Sequence, residues 1–129
     1  MNFKTIEVQG DSMYPTLDPG QRLLMTKAYW LVGDLEVGDI VVLYNEAENE
    51  VIIKRVYRLG HGEVDLYNVP KNYDLRDGTY FVREGYIYVL GDNWEVSLDS
   101  RTYGEFPMEA VMGKVVVMNG AFAQSKGRE

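Results

Sequence analysis

The chain has 129 residues and a mass of 14.8 kDa, which predicts one compact domain and excludes a multidomain assembly. Hydrophobic residues make up 46% of the sequence and charged residues 26%, a composition typical of globular proteins rather than disordered ones. Twenty acidic and thirteen basic residues give a net charge of −7, so most of the surface would repel a phosphate backbone and we expect no nucleic-acid partner.

Cysteine is absent, which excludes disulfides, thiolate metal sites and a cysteine nucleophile. A single histidine, His61, cannot form a multi-histidine metal site, so we expect neither a metal ion nor another cofactor. No apolar run approaches the roughly 18 to 20 residues that cross a bilayer, and the first ten residues lack the apolar centre of a signal peptide.

In chain order, residues 3–9 alternate imperfectly between apolar and polar side chains and predict a strand. Residues 10–20 hold two prolines and two glycines, which predicts a structured loop. Seven further segments are rich in Val, Ile and Tyr and bounded by Gly, Asp and Asn; they predict strands over residues 22–29, 39–44, 50–59, 63–68, 79–83, 86–90 and 114–118.

Helical periodicity is almost absent, and only residues 107–112 predict one short helical turn, with Pro107 at its first position. The pattern therefore predicts an all-β fold of antiparallel sheets. We expect a single domain over residues 1–129, with a small peripheral flap at about residues 66–85.

Ser12 lies in GDSMYPT, between the turn-forming residues Gly10 and Pro15. Serines in such turns usually bond the nearby backbone. The alternative is a nucleophile on a tight turn whose N–H groups converge on an oxyanion. The segment alone leaves both interpretations open.

Lys54 lies in VIIKRVY, where strand alternation places it on one face with Ile52 and Val56. A lysine with a pKa of ~10.4 is neutral at pH 7 about once in 2,500 molecules, so a general base requires burial that lowers the pKa. The apolar face could supply that burial. Otherwise the stem lies on the sheet and the ammonium group reaches water.

A third segment, GDNWEVSLDSRTYGEFP over residues 91–107, concentrates polar side chains in a short span. It can be a polar loop satisfied by its own hydrogen bonds. An EF-hand calcium loop is excluded, because its spacing from Asp92 would place Trp94 and Val96 at ligand positions.

Together and in this order, the segments resemble the bacterial signal peptidase I family of membrane-bound serine proteases with a Ser/Lys dyad. GDSMYPTL resembles the nucleophile motif, GDIVVL the strand after it, IIKRV the lysine motif, and GDN with SLDSR and YG the C-terminal motif. The resemblance spans residues 8–107.

The resemblance implies Ser12 as nucleophile, Lys54 as general base and Ser97 as the hydroxyl that orients the lysine amine. It implies that the remaining site residues support the oxyanion and the C-terminal motif, namely Gly10, Asp92, Asn93, Asp99 and Arg101. Met13, Tyr14 and Ile52 would lie at the substrate or membrane edge. The chemistry of the residues agrees with this assignment, because a serine nucleophile needs a neighbouring base. His61 lies between turn-forming glycines, which makes Lys54 the better candidate for that base.

The implied activity is removal of N-terminal signal peptides from exported proteins after Ala-x-Ala sites, at the extracytoplasmic face of the cytoplasmic membrane. Signal-peptide-bearing preproteins and a membrane surface are the expected partners. Trp94 stands where the family usually has Arg, and Gly10 where some members have Ser. A non-cleaving assembly factor for surface structures such as pili stays open, while a LexA-like repressor would need a DNA-binding segment upstream.

The family's transmembrane anchor precedes the strand that FKTIEV resembles. We expect either a chain cut at the membrane or a natively soluble relative. Near the C-terminus, Ala121, Phe122 and Ala123 match Ala-x-Ala, which suggests cleavage of the tail after Ala123 by a neighbouring molecule.

Overall fold

A computed structural model describes residues 3–118 and 121–122 of the chain. The all-β prediction is confirmed: eight strands form one antiparallel sheet and two more form a small second sheet. The strands are β1 Phe3–Glu7, β2 Arg22–Thr26, β3 Ile40–Asn45, β4 Glu50–Leu59, β5 Glu63–Val64, β6 Tyr80–Phe81, β7 Tyr86–Leu90, β8 Phe106–Pro107, β9 Val111–Met118 and β10 Ala121–Phe122.

The large sheet has the strand order β1-β2-β9-β3-β4-β7-β8, with β10 paired to β9. Strands β3 and β4 pair in an unbroken register that sets Val41 opposite Lys54. Pairing between β4 and β7 begins only at Arg55, so in the described part of the chain Glu50–Lys54 pairs with β3 alone. The first half of β4 therefore keeps a free edge.

Apolar side chains pack on both faces of this sheet, because neighbouring residues along β3 and β4 point to opposite sides. Val42 and Ile53 belong to one buried cluster, which also includes Met13. Val41 and Ile52 belong to the other. This two-sided core explains the nearly continuous apolar run of β3.

Helical structure is limited to four short elements in the described residues: α1 Tyr29–Val32, α2 Ser100–Tyr103, and 3-10 turns at Leu75–Asp77 and Met108–Ala110. The predicted turn at residues 107–112 is shorter than expected, because β9 already begins at Val111. The prediction of one helical turn missed α1 and α2. The strand predicted for residues 22–29 ends at Thr26, whose hydroxyl accepts a hydrogen bond from Ala28 N at 2.9 Å just before α1.

The small sheet pairs Glu63 with Phe81 and Val64 with Tyr80. Both of its strands are shorter than predicted. The buried side chains of Val64, Val82 and Tyr88 form its core. The single-domain boundary and the flap stay predictions.

None of the helices in the described residues is long and apolar enough to cross a membrane. The proposed cleavage after Ala123 lies outside the described residues.

Candidate active site

The structure brings Ser12 and Lys54 into direct contact across 42 residues of sequence, and Lys54 Nζ donates a hydrogen bond to Ser12 Oγ at 2.8 Å. Ser12 lies in the loop after β1, where Gly10 adopts a left-handed φ of 75° that favours glycine. Lys54 lies on β4 beside its free edge, 4% exposed. Strand alternation therefore puts Lys54 on the face of β4 that carries the buried side chains of Ile52 and Val56, and its amine meets the Ser12 hydroxyl.

Burial lowers the pKa of the Lys54 amine, while the negative charges of Asp99 and Glu50 act in the opposite direction. The cause is the loss of hydration, which disfavours the charged ammonium form. Glu50 and Ile52 share the face of β4 on which Lys54 lies, because side chains two residues apart point the same way. The neutral amine therefore forms more readily here than in a lysine exposed to water.

Asp99 is fully buried and is the centre of a second group of contacts. Its Oδ2 accepts hydrogen bonds from Ser97 Oγ at 2.7 Å and from Gly91 N at 2.9 Å. Arg101 binds both carboxylate oxygens, each at 2.9 Å. Burial alone would raise the pKa of Asp99, but the hydrogen bonds from Arg101, Gly91 and Ser97 outweigh it and lower the pKa.

A largely buried ion pair ties the Ser12 loop to β4. Arg55, the residue after Lys54, donates to both oxygens of Asp92 at 2.9 and 2.7 Å. Thr16 Oγ1 donates to Asp92 Oδ2 at 2.5 Å. Asn93 completes the link, since its backbone N donates to Ser12 O at 2.8 Å and its side-chain amide to Asp11 O at 3.0 Å.

Gly91 is the point of closest approach between these segments. A Cβ atom at this position would lie 2.5 Å from Ser97 Cβ and 2.7 Å from Ser12 O. Such distances are far inside van der Waals contact, so only glycine lets the two serine-bearing segments meet here.

A groove of about 480 Å³ opens at Ser12 and Lys54. It lies between the end of β1 and the free edge of β4. Its walls combine branched apolar side chains with three carboxylates; the lining residues are Ile6, Glu7, Gln9, Gly10, Asp11, Ser12, Glu50, Val51, Ile52, Ile53, Lys54, Val96 and Leu98.

One residue predicted at the substrate or membrane edge, Met13, lies in the core instead. Met13 is only 1% exposed and packs in the core with Val8 and Leu23, while its sulfur accepts a hydrogen bond from Asp92 N at 3.3 Å. Its flexible apolar side chain anchors the Ser12 loop instead of facing substrate or membrane. Tyr14 is half exposed, and Ile52 lines the groove.

Ser97 donates its hydroxyl proton to Asp99, and Lys54 Nζ bonds only Ser12 within the described residues.

Sequence reasoning missed Arg55 and Thr16. Arg55 carried a usable signal, because alternation along β4 must point it away from Lys54, toward the other face of the sheet.

The chain matches one family model and several known proteins. The family described as "Signal peptidase, peptidase S26" matches residues 1–68 and 61–119. The chain is 35% identical to mitochondrial inner membrane protease subunit 1 of Saccharomyces cerevisiae, covering 91% of this chain and 67% of the relative. It is 30% identical to signal peptidase IB of Staphylococcus aureus (strain COL), covering 92% of this chain and 78% of the relative.

A third relative, the chloroplastic thylakoidal processing peptidase 1 of Arabidopsis thaliana, is 32% identical, and the match covers 84% of this chain but 39% of the relative. The chain thus spans well under half of that protein's length. The matches confirm the resemblance drawn from the motifs. The chain belongs to the signal peptidase family, peptidase S26.

Proposed function

We propose that this chain is the catalytic part of a serine endopeptidase that removes N-terminal signal peptides from exported proteins after Ala-x-Ala sites. The observation that carries the proposal is the 2.8 Å contact between Ser12 Oγ and the buried Lys54 amine. A serine becomes a competent nucleophile when a neighbouring base takes its proton. The family assignment supports peptidase activity in general.

In the proposed reaction, Ser12 Oγ attacks the scissile carbonyl carbon while neutral Lys54 accepts the hydroxyl proton. Before this transfer, with the amine neutral, the Ser12 hydroxyl donates its hydrogen bond to Lys54 Nζ, the reverse of the direction in the ammonium form. The resulting ammonium group gives its proton to the leaving amine, which departs and leaves an acyl ester on Ser12. Lys54, neutral again, activates the water that hydrolyses the ester.

The oxyanion would lie near the Ser12 backbone N–H, which has no hydrogen-bond acceptor among the described residues. A donor already fixed in place stabilises the developing charge without reorganisation. The turn that presents this N–H is held by Asn93, which binds the carbonyl groups of Asp11 and Ser12.

An extended substrate fits the free edge of β4. Val56 N donates to Asp39 O, so alternation directs the peptide groups of Val51 and Ile53 away from β3 and toward that edge. A substrate strand could pair there by edge addition. Its alternate side chains would face the same wall, which suits small residues at the first and third positions before the cut.

The test is cleavage of a signal-peptide substrate by the purified chain and by the variants Ser12→Ala and Lys54→Met. Each variant should lose activity by about a thousandfold or more while remaining folded, because nucleophile and base act as one unit. His61→Asn is the matched control, since His61 is exposed and outside the groove, and Asn tolerates its φ of 71°. Substantial cleavage by either site variant would refute the mechanism.

The same assay tests the specificity. Replacing Ala by Trp at the first or third position before the cut should lower kcat/KM strongly, and the same change at the second position should have a small effect. Equal losses at all three positions would contradict strand-like binding. A wild-type chain that binds signal peptides without cleaving them would favour the assembly-factor alternative.

A further inference from the structure

Trp94 lies outside the groove and contacts Arg101, the residue that binds the Asp99 carboxylate. The centre of the Arg101 guanidinium lies 4.7 Å from the centroid of the Trp94 ring. Arg101 Nη2 also donates to Trp94 O at 3.0 Å, and the same nitrogen binds Asp99 Oδ2 at 2.9 Å. One residue therefore supports Arg101 by its ring and by its carbonyl group.

Core packing does not account for Trp94. Its side chain is 50% exposed, and it belongs to none of the three buried clusters. It is absent from the lining of the groove. The contact with Arg101 is the specific interaction that the described residues assign to this ring.

Further interactions link Arg101, through Asp99, to Lys54. Arg101 binds both oxygens of Asp99, and Asp99 accepts the proton of Ser97 Oγ. Asp99 is fully buried, so its charge is only weakly screened and acts on Lys54. How completely Arg101 neutralises Asp99 therefore affects how tightly Lys54 holds its proton.

We propose that Trp94 is a positioning residue that clamps Arg101 against Asp99 and, through that ion pair, sets the proton affinity of Lys54. The mechanistic consequence rests on the proposed function, but the coupling between Trp94 and Lys54 does not. Without the ring, the guanidinium gains water and freedom, and Asp99 is less completely neutralised. The Lys54 ammonium form then becomes more stable.

Substituting Trp94 leaves the other charged residues near Lys54 in place. Glu50 acts on Lys54 through its charge, and Glu7 and Asp11 line the same groove. None of the three is a hydrogen-bond partner of Trp94 or Arg101 in the described residues. A change produced at Trp94 can thus be assigned to the Arg101 and Asp99 pair.

The direct test is an NMR titration of the chain labelled at lysine Cε, without substrate, with the Lys54 signal assigned by its loss in Lys54→Met. Trp94→Ala should raise the titration midpoint of Lys54 by about half a pH unit, a roughly threefold change in proton affinity. Trp94→Phe keeps an aromatic face and should restore most of the wild-type midpoint. Tyr67→Ala, a change at an 84% exposed ring, should leave the midpoint unchanged.

Equal midpoints in wild type and Trp94→Ala would overturn the inference, as would equal shifts in Trp94→Ala and Trp94→Phe. If Trp94→Ala does not fold, Trp94→Leu replaces it and the same criteria apply. In an active enzyme, the acidic limb of kcat/KM should move with the NMR midpoint. A rise in KM alone would assign the ring to substrate binding instead. Lack of cleavage by wild type would refute the proposed function and leave the NMR result decisive for this inference.

Discussion

Asp92→Ala provides a sharp test of how the Ser12 loop is held. The side chains of Arg55 and Asp92 are 12% and 10% exposed and form two hydrogen bonds, at 2.9 and 2.7 Å. Removing the carboxylate leaves a largely buried guanidinium with Gly38 O, at 2.7 Å, as its remaining acceptor among the described residues. Breaking a buried pair in this way costs about 3 to 5 kcal/mol.

For a chain of this length, that loss corresponds to a fall in Tm of about 10 to 20 °C, measurable by circular dichroism. Asp74→Ala is the matched control, because its ion pair with Arg76 is exposed, and its Tm should fall much less. The double variant Arg55→Met with Asp92→Ala should recover part of the loss, since no buried charge is then left unpaired. A Tm for Asp92→Ala no lower than that of the control would refute the reasoning.

Three further outcomes are expected. Gly91→Ala should lower both Tm and activity, because its Cβ meets Ser97 and Ser12 O. Gly78→Ala has open space around it but a left-handed φ of 97°, so it should lower Tm by backbone strain and leave activity unchanged; equal activities of the two variants would contradict the close approach. Ser97→Ala should reduce kcat without abolishing it, and unchanged kinetics would remove Ser97 from the site. Lys54→Met should raise Tm at pH 7, because folding lowers the pKa of Lys54 and the folded state therefore opposes its protonation. This gain in Tm should vanish as the pH rises past about 10.5, the lysine pKa in the unfolded chain. A gain in Tm that is independent of pH would indicate better packing by Met instead.

Local patterns predicted the strands well where both ends carried turn signals. The predicted limits of β4 and β7, residues 50–59 and 86–90, match the structure. The strand predicted at residues 63–68 ends at Val64. There, Asp65 accepts hydrogen bonds from Tyr67 N and from the Asn68 side chain, a local arrangement that competes with strand pairing.

Long-range contacts marked the limit of prediction for the site. Motif order placed Ser12 and Lys54 together, but no local pattern indicated that Thr16 would reach Asp92, 76 residues away in sequence. Burial of Met13 was missed for a similar reason. A methionine in a Pro- and Gly-rich loop reads as exposed until the sheet beneath it is known.

The two consecutive residues Lys54 and Arg55 show how one strand serves two needs. Alternation points the lysine to the groove and the arginine to the opposite side, where Asp92 holds the Ser12 loop. The base and the anchor of the nucleophile loop are therefore fixed by the same backbone register. A slip of β4 by one residue would exchange the two positions, putting a permanently charged guanidinium beside Ser12 and leaving Asp92 without its bidentate partner. The continuous pairing of β4 with β3, from Ile40↔Arg55 to Asn45↔Glu50, is thus as necessary to the proposed chemistry as the lysine itself.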